Sequence, residues 1–210
     1  MSQKIVIIGA KGAISKHLIA FLQQREDIEL TLFARDTTGL IASERVHIEQ
    51  GDALDRRDLD RIIKGKDLVY VNLIGPMDQF AKHIVESMLS NKVNRLIFIT
   101  SLGIYKEVAG KFGQWNEAII GQDLIPYAKA AHIIEESKLD YTVVRPSWLT
   151  DKDEDSYETT QKGELFTGTE VSRKAVAKYV LSLVEDNQKD IRASVGVHKP
   201  GVYGDKPSFM

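Results

Sequence analysis

Residues Lys4–Leu22 read KIVIIGAKGAISKHLIAFL, and this stretch decides the fold. Ile5–Ile8 form an unbroken β-branched run, the pattern of a strand buried on both faces. Gly9 follows at once, and Gly12 opens a segment in which Ile14, Leu18, Ile19 and Leu22 share one helical face. In such a strand–turn–helix the first glycine permits the tight turn. The second lets the backbone approach a pyrophosphate, which then sits at the helix N-terminus, where free N–H groups and the helix dipole point at it. Ser15 stands where a third glycine is usual. That glycine serves close packing of helix on strand rather than phosphate contact, so a small serine fits there and also offers a hydroxyl.

Outward from this unit, short apolar runs alternate with segments of helical period. Strands are expected near Lys4–Ile8, Glu29–Ala34, Val46–Glu49, Leu68–Leu73, Arg95–Thr100 and Tyr141–Val144, with a weaker one near Ala193–Val197. Between them lie the helical patterns ISKHLIAFLQQ, DRRDLDRIIKG, MDQFAKHIVESMLSN and AKAAHIIEESK. Strand and helix taking turns imply right-handed crossovers and a parallel sheet with both faces covered. The expected fold is α/β: a Rossmann-type, doubly wound parallel sheet with helices on both faces, one domain over residues 1–210. Beyond Pro146 the rhythm loosens into a polar stretch, residues 150–168, which is a candidate lid; SRKAVAKYVLSLVED follows as a clear helix with Ser172 at its N-cap. Asp151, Asp153 and Asp155 imitate the start of a calcium loop, but its glycine and glutamate positions hold Ser156 and Lys162, so no metal site is assigned.

Composition narrows the chemistry. A chain of 210 residues with 43% hydrophobic content can close one substantial core. With 28 basic and 30 acidic residues the net charge of -2 gives no general attraction for nucleic acid or acidic membranes. A small-molecule ligand is the first expectation. The absence of cysteine excludes disulfides, thiol nucleophiles and thiolate metal sites. The N-terminus shows no signal-peptide pattern and no apolar run spans a bilayer, so the expected location is the cytoplasm.

Further cofactor residues follow from position. In TLFARD, Arg35 ends the second strand where a dinucleotide-binding domain holds the adenosine ribose. An arginine there suits a 2′-phosphate and can lay its planar guanidinium on adenine, which favours NADP(H) over NAD(H). Asp36 reverses that preference if it, rather than Arg35, faces the ribose, and NAD(H) then serves. Lys11, inside the turn, is a second candidate for the phosphate. In QGDALD, Asp52 either accepts from the adenine amino group or caps a turn, while Asp55 caps the next helix.

The segments IVIIGAKGAI, LFARD, GDALD, FITSLG, LDYTVVRPSWLT and VSRKAVAKYV, in this order, resemble the atypical short-chain dehydrogenase/reductases. The resemblance is to their compact NAD(P)H-binding, NmrA-like group, which includes biliverdin reductase B, a flavin reductase. It implies a Rossmann fold, an NAD(P) cofactor, and a nicotinamide pocket at the carboxyl ends of the fourth to sixth strands. The family's cofactor contacts fall on Gly9, Lys11, Gly12, Ala13, Ile14, Arg35, Asp52, Leu73, Gly75, Ser101 and Pro146.

The catalytic pattern departs from that of the carbonyl-reducing relatives, whose Tyr-x-x-x-Lys uses lysine to lower the tyrosine pKa. Four residues after the seven tyrosines come Ile74, Ala109, Ala131, Arg145, Gln161, Leu183 and Pro207, none of them lysine. Counted back from Arg145, the family's lysine position falls near Tyr127 and its tyrosine position near Asp123. The remaining candidates are Ser101, which either hydrogen-bonds an acceptor or the nicotinamide amide or caps a turn, Tyr105 as a wall, Tyr127, and Lys129. Phe112, Trp115 and Trp148 flank the same loops and either stack on a flat acceptor or pack; a lone His132 on a helix reads as packed or exposed. Two functions fit. One is an NADPH-dependent reductase of a planar acceptor such as a flavin or quinone, since hydride transfer needs only a correctly placed nicotinamide and acceptor. The other is a non-catalytic redox sensor, which the resemblance also implies, whose binding to a protein partner changes with the redox state of the dinucleotide.

Overall fold

The computed structural model describes residues 2–210. The chain runs β1 (Gln3–Ile8), α1 (Ala13–Leu22), β2 (Ile28–Ala34), β3 (Val46–Gln50), α2 (Arg56–Ile63), β4 (Leu68–Val71), α3 (Met77–Asn91) and β5 (Arg95–Ile99). It continues with α4 (Gly110–Ile120), α5 (Leu124–Glu135), β6 (Asp140–Pro146), β7 (Trp148–Thr150), β8 (Glu158–Gln161), β9 (Glu170–Ser172), α6 (Arg173–Glu185) and β10 (Ala193–His198). The main sheet has the order β3-β2-β1-β4-β5-β6-β10-β8, parallel throughout except for the edge strand β8, which runs antiparallel to β10. Strand order reverses between β1 and β4. In a sheet of this kind ligands bind beyond the carboxyl ends of the strands at such a switch point.

Alternate side chains of the buried strands feed two cores. Ile5, Ile7, Tyr70, Ile97 and Val144 pack with Leu18 and Leu22 of α1 and Val176, Tyr179, Val180 and Leu183 of α6. Val6, Ile8, Val69, Val71, Phe98 and Val143 pack on the other face with Leu59, Ile84, Met88 and Ile134 of α2, α3 and α5. The expected helix caps form: Asp55 accepts from Arg57 N at 2.8 Å, and Ser172 from Ala175 N at 2.9 Å.

Four features differ from the sequence reading. β4 stops at Val71, two residues early; Asn72 N still reaches Ile8 O at 3.0 Å, while its side chain donates to Ser15 Oγ of α1. Residues 110–120 form a helix that two glycines, Gly110 and Gly113, disguise. α5 begins at Leu124, upstream of the expected pattern, with Pro126 tolerated in its first turn. The polar stretch 150–168 contains β8, whose Glu158–His198 to Gln161–Val195 register makes it a sheet edge. Asp151, Asp153 and Asp155 in that stretch do not converge; they pair with Arg173, Lys174 and Lys178 of α6. No helix among the described residues is long and apolar enough to cross a membrane.

Candidate active site

The turn after β1 closes with Gly12 N donating to Gly9 O at 3.0 Å. Gly9 has φ +88, and a Cβ there would lie 2.1 Å from Asn72 O, so both conformation and space demand glycine. A Cβ on Gly12 would come within 2.5 Å of Asn72 Nδ2. Ser15 is fully buried; its Oγ donates to Gly9 O at 2.8 Å and accepts from Asn72 Nδ2 at 3.1 Å. The serine therefore ties the turn to the end of β4. Gly12 caps α1 without a side chain, and no acidic residue occupies the first turn. The helix N-terminus thus keeps its positive end and its free N–H groups for an anion.

Beside this turn lies a cleft of about 330 Å³ lined by Gly9, Lys11, Gly12, Phe33, Arg35, Asp36, Asp52, Asn72, Leu73, Ile74 and Phe80. Among the described residues no carboxylate pairs with Arg35. Asp36 is taken differently: it pairs with Lys11 and accepts from Thr38 N at 2.9 Å. The Lys11 ammonium, helped by Thr38, holds the Asp36 carboxyl far below the usual carboxylate range. Asp52 Oδ1 accepts from Leu54 N at 3.0 Å, so it closes a turn while facing the cleft.

A second cavity of about 500 Å³ adjoins the first, and Asn72, Leu73 and Ile74 line both. Ile14, Thr100, Ser101, Asp123, Tyr127, Pro146, Trp148, Leu149, Arg173 and Phe209 complete much of its wall. Thr100 is fixed by its N–H to Val144 O, at 2.7 Å, and Leu102 N reaches Pro146 O at 3.1 Å, so Ser101 is carried on a tethered loop. Burial pushes the Tyr127 phenol up, and the Asp123 carboxylate one helical turn earlier pushes the same way. A third, larger depression of about 870 Å³ sits around Lys4, Arg25, Asp67 and Asn187, at the amino ends of the strands and away from the glycine turn.

Most of the expected residues come together here, and several do not. Ala13 and Gly75 line neither cavity; Ala13 begins α1, and Gly75 sits beside the Phe80 ring. Lys129 is exposed on α5 and faces neither cavity, because two residues along a helix turn a side chain away from the Tyr127 face. Tyr105 is not a wall: its hydroxyl donates to Glu135 Oε1 at 2.6 Å, with Ser194 Oγ at 3.0 Å, behind the sheet ends. A buried ion pair causes this. Arg145 Nη1 meets Glu107 Oε1 at 2.5 Å, and the same carboxylate accepts from Gly103 N and Tyr105 N at 3.0 Å each. The Arg145 guanidinium lies 5.3 Å from the Tyr105 ring, which is held on that side. Burial pushes the Tyr105 hydroxyl up as well, and Glu135 adds to the effect. Phe112, Trp115 and Trp148 pack with Leu102 and Phe166 in a small core; of the three aromatics only Trp148 also lines the cavity, with its Nε1 on Asn116 Oδ1 at 2.9 Å. His132 is exposed.

The sequence reading missed Asn72, Ile74, Arg173 and Phe209. Only Asn72 carried a signal, as the polar residue that ends an otherwise apolar run, LVYVNLIG.

The model of the NAD(P)H-binding family matches residues 9–187. The chain belongs to that family. A Rossmann-fold NAD(P)-binding family protein of Shigella flexneri is 38% identical, each chain fully covered, with a TM-score of 0.86. A wide-type short-chain dehydrogenase/reductase of Veillonella parvula, solved in complex with NADP, is 28% identical over the full length of both chains, with a TM-score of 0.93. A Bacillus subtilis protein named as the uncharacterized sugar epimerase YhfK is 25% identical over 90% of this chain and 92% of its own. The NAD(P)H-binding fold is thus oxidoreductase-like, and the glycine turn, the uncapped helix and Arg35 suit a dinucleotide in the first cleft.

Proposed function

We propose that this NAD(P)H-binding protein is an NADPH-dependent reductase of a planar acceptor, of the flavin or quinone class. The observation that carries the reading is the second cavity, which opens beside the cofactor cleft and is walled by Tyr127, Trp148, Leu149, Pro146 and Phe209. Such a wall suits a flat, largely apolar molecule with few polar contacts. The cofactor, when bound, supplies a hydride. Gly9 and Gly12 let the backbone approach its pyrophosphate, and the N-terminus of α1 binds that anion. Arg35 meets a 2′-phosphate with a guanidinium free of protein partners, while Lys11 neutralises Asp36, the residue that would repel it. The NADP in the Veillonella parvula relative supports that preference. Leu73 lines both cavities and Ser101 and Pro146 line the second, where they would position nicotinamide against acceptor.

The phenol of Tyr127 is protonated at neutral pH and has a carboxylate, not an ammonium, beside it. No lysine lines its cavity to make it the proton shuttle that such a tyrosine becomes for alcohols or sugars. That argues for an acceptor whose reduced form takes its proton from water, and against an epimerase, which must remove a hydroxyl proton. The test is to follow NADPH oxidation by the purified protein with riboflavin, menadione and a panel of small aldehydes and ketones. Turnover with the planar acceptors but not the carbonyls is expected. Tight NADPH binding without turnover of any acceptor would refute it.

The sensor is the second reading. Ile74 (86% exposed), at the junction of the cavities, and the exposed Ile119 and Ile125 offer apolar side chains to a partner. It requires an affinity for that partner which differs between NADP and NADPH.

A further inference from the structure

One wall of the acceptor cavity comes from the last residues of the sequence. The segment returns over the strand ends through the Gly168–Tyr203 bridge and Thr169 N to Val202 O at 3.2 Å. Pro207 is buried, and Met210 N closes a turn on Pro207 O at 3.2 Å. Within that turn Ser208 is held by one carboxylate: its N–H and its Oγ donate to Glu170 Oε2 at 2.9 and 2.6 Å. Glu170 belongs to β9, its side chain is 2% exposed, and Oε1 accepts from Lys152 Nζ at 2.9 Å.

A carboxylate is costly to bury unless its oxygens are bonded. Here every side-chain bond that Glu170 accepts goes to Ser208 or to Lys152. Burial alone would raise its carboxyl, yet the Ser208 and Lys152 donors bring it down to about 2, so the latch is ionised at neutral pH. The residue it sets in place is Phe209. That ring faces the cavity and stays 48% exposed, unlike the aromatic residues that fill the cores. A half-exposed phenylalanine on a pinned turn contributes little to folding. It is placed to be covered by whatever enters the cavity.

We infer that Phe209 is a specificity-determining wall of the acceptor site, selecting ring systems large enough to lie against it, and that Glu170 is its positioning residue. The inference rests on the reductase reading. A fused three-ring acceptor such as riboflavin offers Phe209 more ring face than a one-ring benzoquinone, which gains much less from it. Loss of one aromatic contact weakens binding by about five- to tenfold.

The experiment measures KM and kcat for riboflavin and for a benzoquinone, with NADPH affinity read separately by nicotinamide fluorescence. Phe209→Ala is expected to raise the riboflavin KM about five- to tenfold, with a much smaller change for the benzoquinone and NADPH affinity held within about twofold. Phe209→Trp is expected to keep the riboflavin KM low. Glu170→Ala, which removes the acceptor of both Ser208 bonds, should reproduce the Phe209→Ala pattern, and the double variant should be no worse than Phe209→Ala alone. Wild-type turnover with an unchanged riboflavin KM in Phe209→Ala overturns this inference and leaves the reductase reading standing. Equal losses for both acceptors also overturn it. A wild-type protein that binds NADPH but reduces neither acceptor overturns both.

Discussion

Glu107→Gln is expected to be among the most damaging single changes outside the glycine turn. The Glu107 and Arg145 side chains are 5% and 1% exposed, and their atoms are 2.5 Å apart. Removing the charge at Glu107 leaves Arg145 buried with Ser194 Oγ and Ser194 O, both at 3.1 Å, and the faces of Tyr105 and Phe166. A guanidinium cannot shed its proton to relieve this. Breaking one side of a buried pair costs about 3–5 kcal/mol. The amide also offers one acceptor oxygen where the carboxylate served both Gly103 N and Tyr105 N, so one N–H loses its partner. For a chain of this size the expected fall in Tm is roughly 6–20 °C. Thermal and urea unfolding of the purified variant, with and without NADPH, measure it. A Glu107→Gln loss below about 1 kcal/mol would refute the reasoning, since it would mean the pair is solvated or the loop relaxes freely.

Three further expectations follow from the site. Arg35→Ala should weaken NADPH binding by about 10- to 100-fold and NADH binding far less, since a charge-assisted contact to phosphate contributes about 1.5–3 kcal/mol; equal losses for both cofactors would remove Arg35 from the 2′-phosphate. Gly9→Ala should abolish cofactor binding in fluorescence titrations, because φ +88 and the 2.1 Å approach to Asn72 O leave no room for a methyl group without moving the turn; wild-type affinity would show that the turn does not bind the pyrophosphate. Glu170, lowered to about 2 from 4.5, contributes stability that is fully present above about pH 5 and is lost as pH falls toward 2. Unfolding free energies of wild type and Glu170→Gln should therefore differ by on the order of 2–3 kcal/mol at pH 7 and converge in acid, and a pH-independent gap would contradict the assignment.

What the sequence revealed and what it hid divide along physical lines. Ile5–Ile8, the Ile14–Leu18–Leu22 stripe and the runs at Val69 and Phe98 announced themselves because burial on a sheet or helix face forces apolar residues into fixed periods. The strand β8, ETTQ, could not do so: it is an antiparallel edge with largely exposed side chains, held by backbone bonds to β10 that any sequence can make. The glycine turn was legible, since steric demands at Gly9 are written in residue type. The location of Tyr105 was not, because it depends on Glu107 meeting Arg145 across 38 residues, a contact no local pattern records. Phe209 was hidden for the same reason, its place being set by Glu170, 38 residues before Ser208. The departure at Asp123 and Tyr127 was visible in the sequence, but only the fold shows both facing the second cavity.

The serine in the glycine turn bears on how the two cavities act together. A third glycine would pack against β4 and make no bond, leaving Asn72 to find another partner. With Ser15, the Gly9 carbonyl, the serine hydroxyl and the Asn72 amide form one chain of hydrogen bonds beneath the turn. Asn72 lines both cavities, and its backbone oxygen is the atom that forbids a side chain at Gly9. The position of the glycine turn is therefore set by the same residue that forms the junction with the second cavity. A shift of the turn must move the Asn72–Ile74 segment, and with it the boundary across which hydride would pass. Hydride transfer is acutely sensitive to donor–acceptor distance, so rigidity is needed at this junction more than at the rim. The buried serine supplies it with two bonds and no added volume beyond a hydroxymethyl group. The bonded serine thus ties the glycine turn to the segment that lines both cavities, the link on which the proposed hydride transfer would depend.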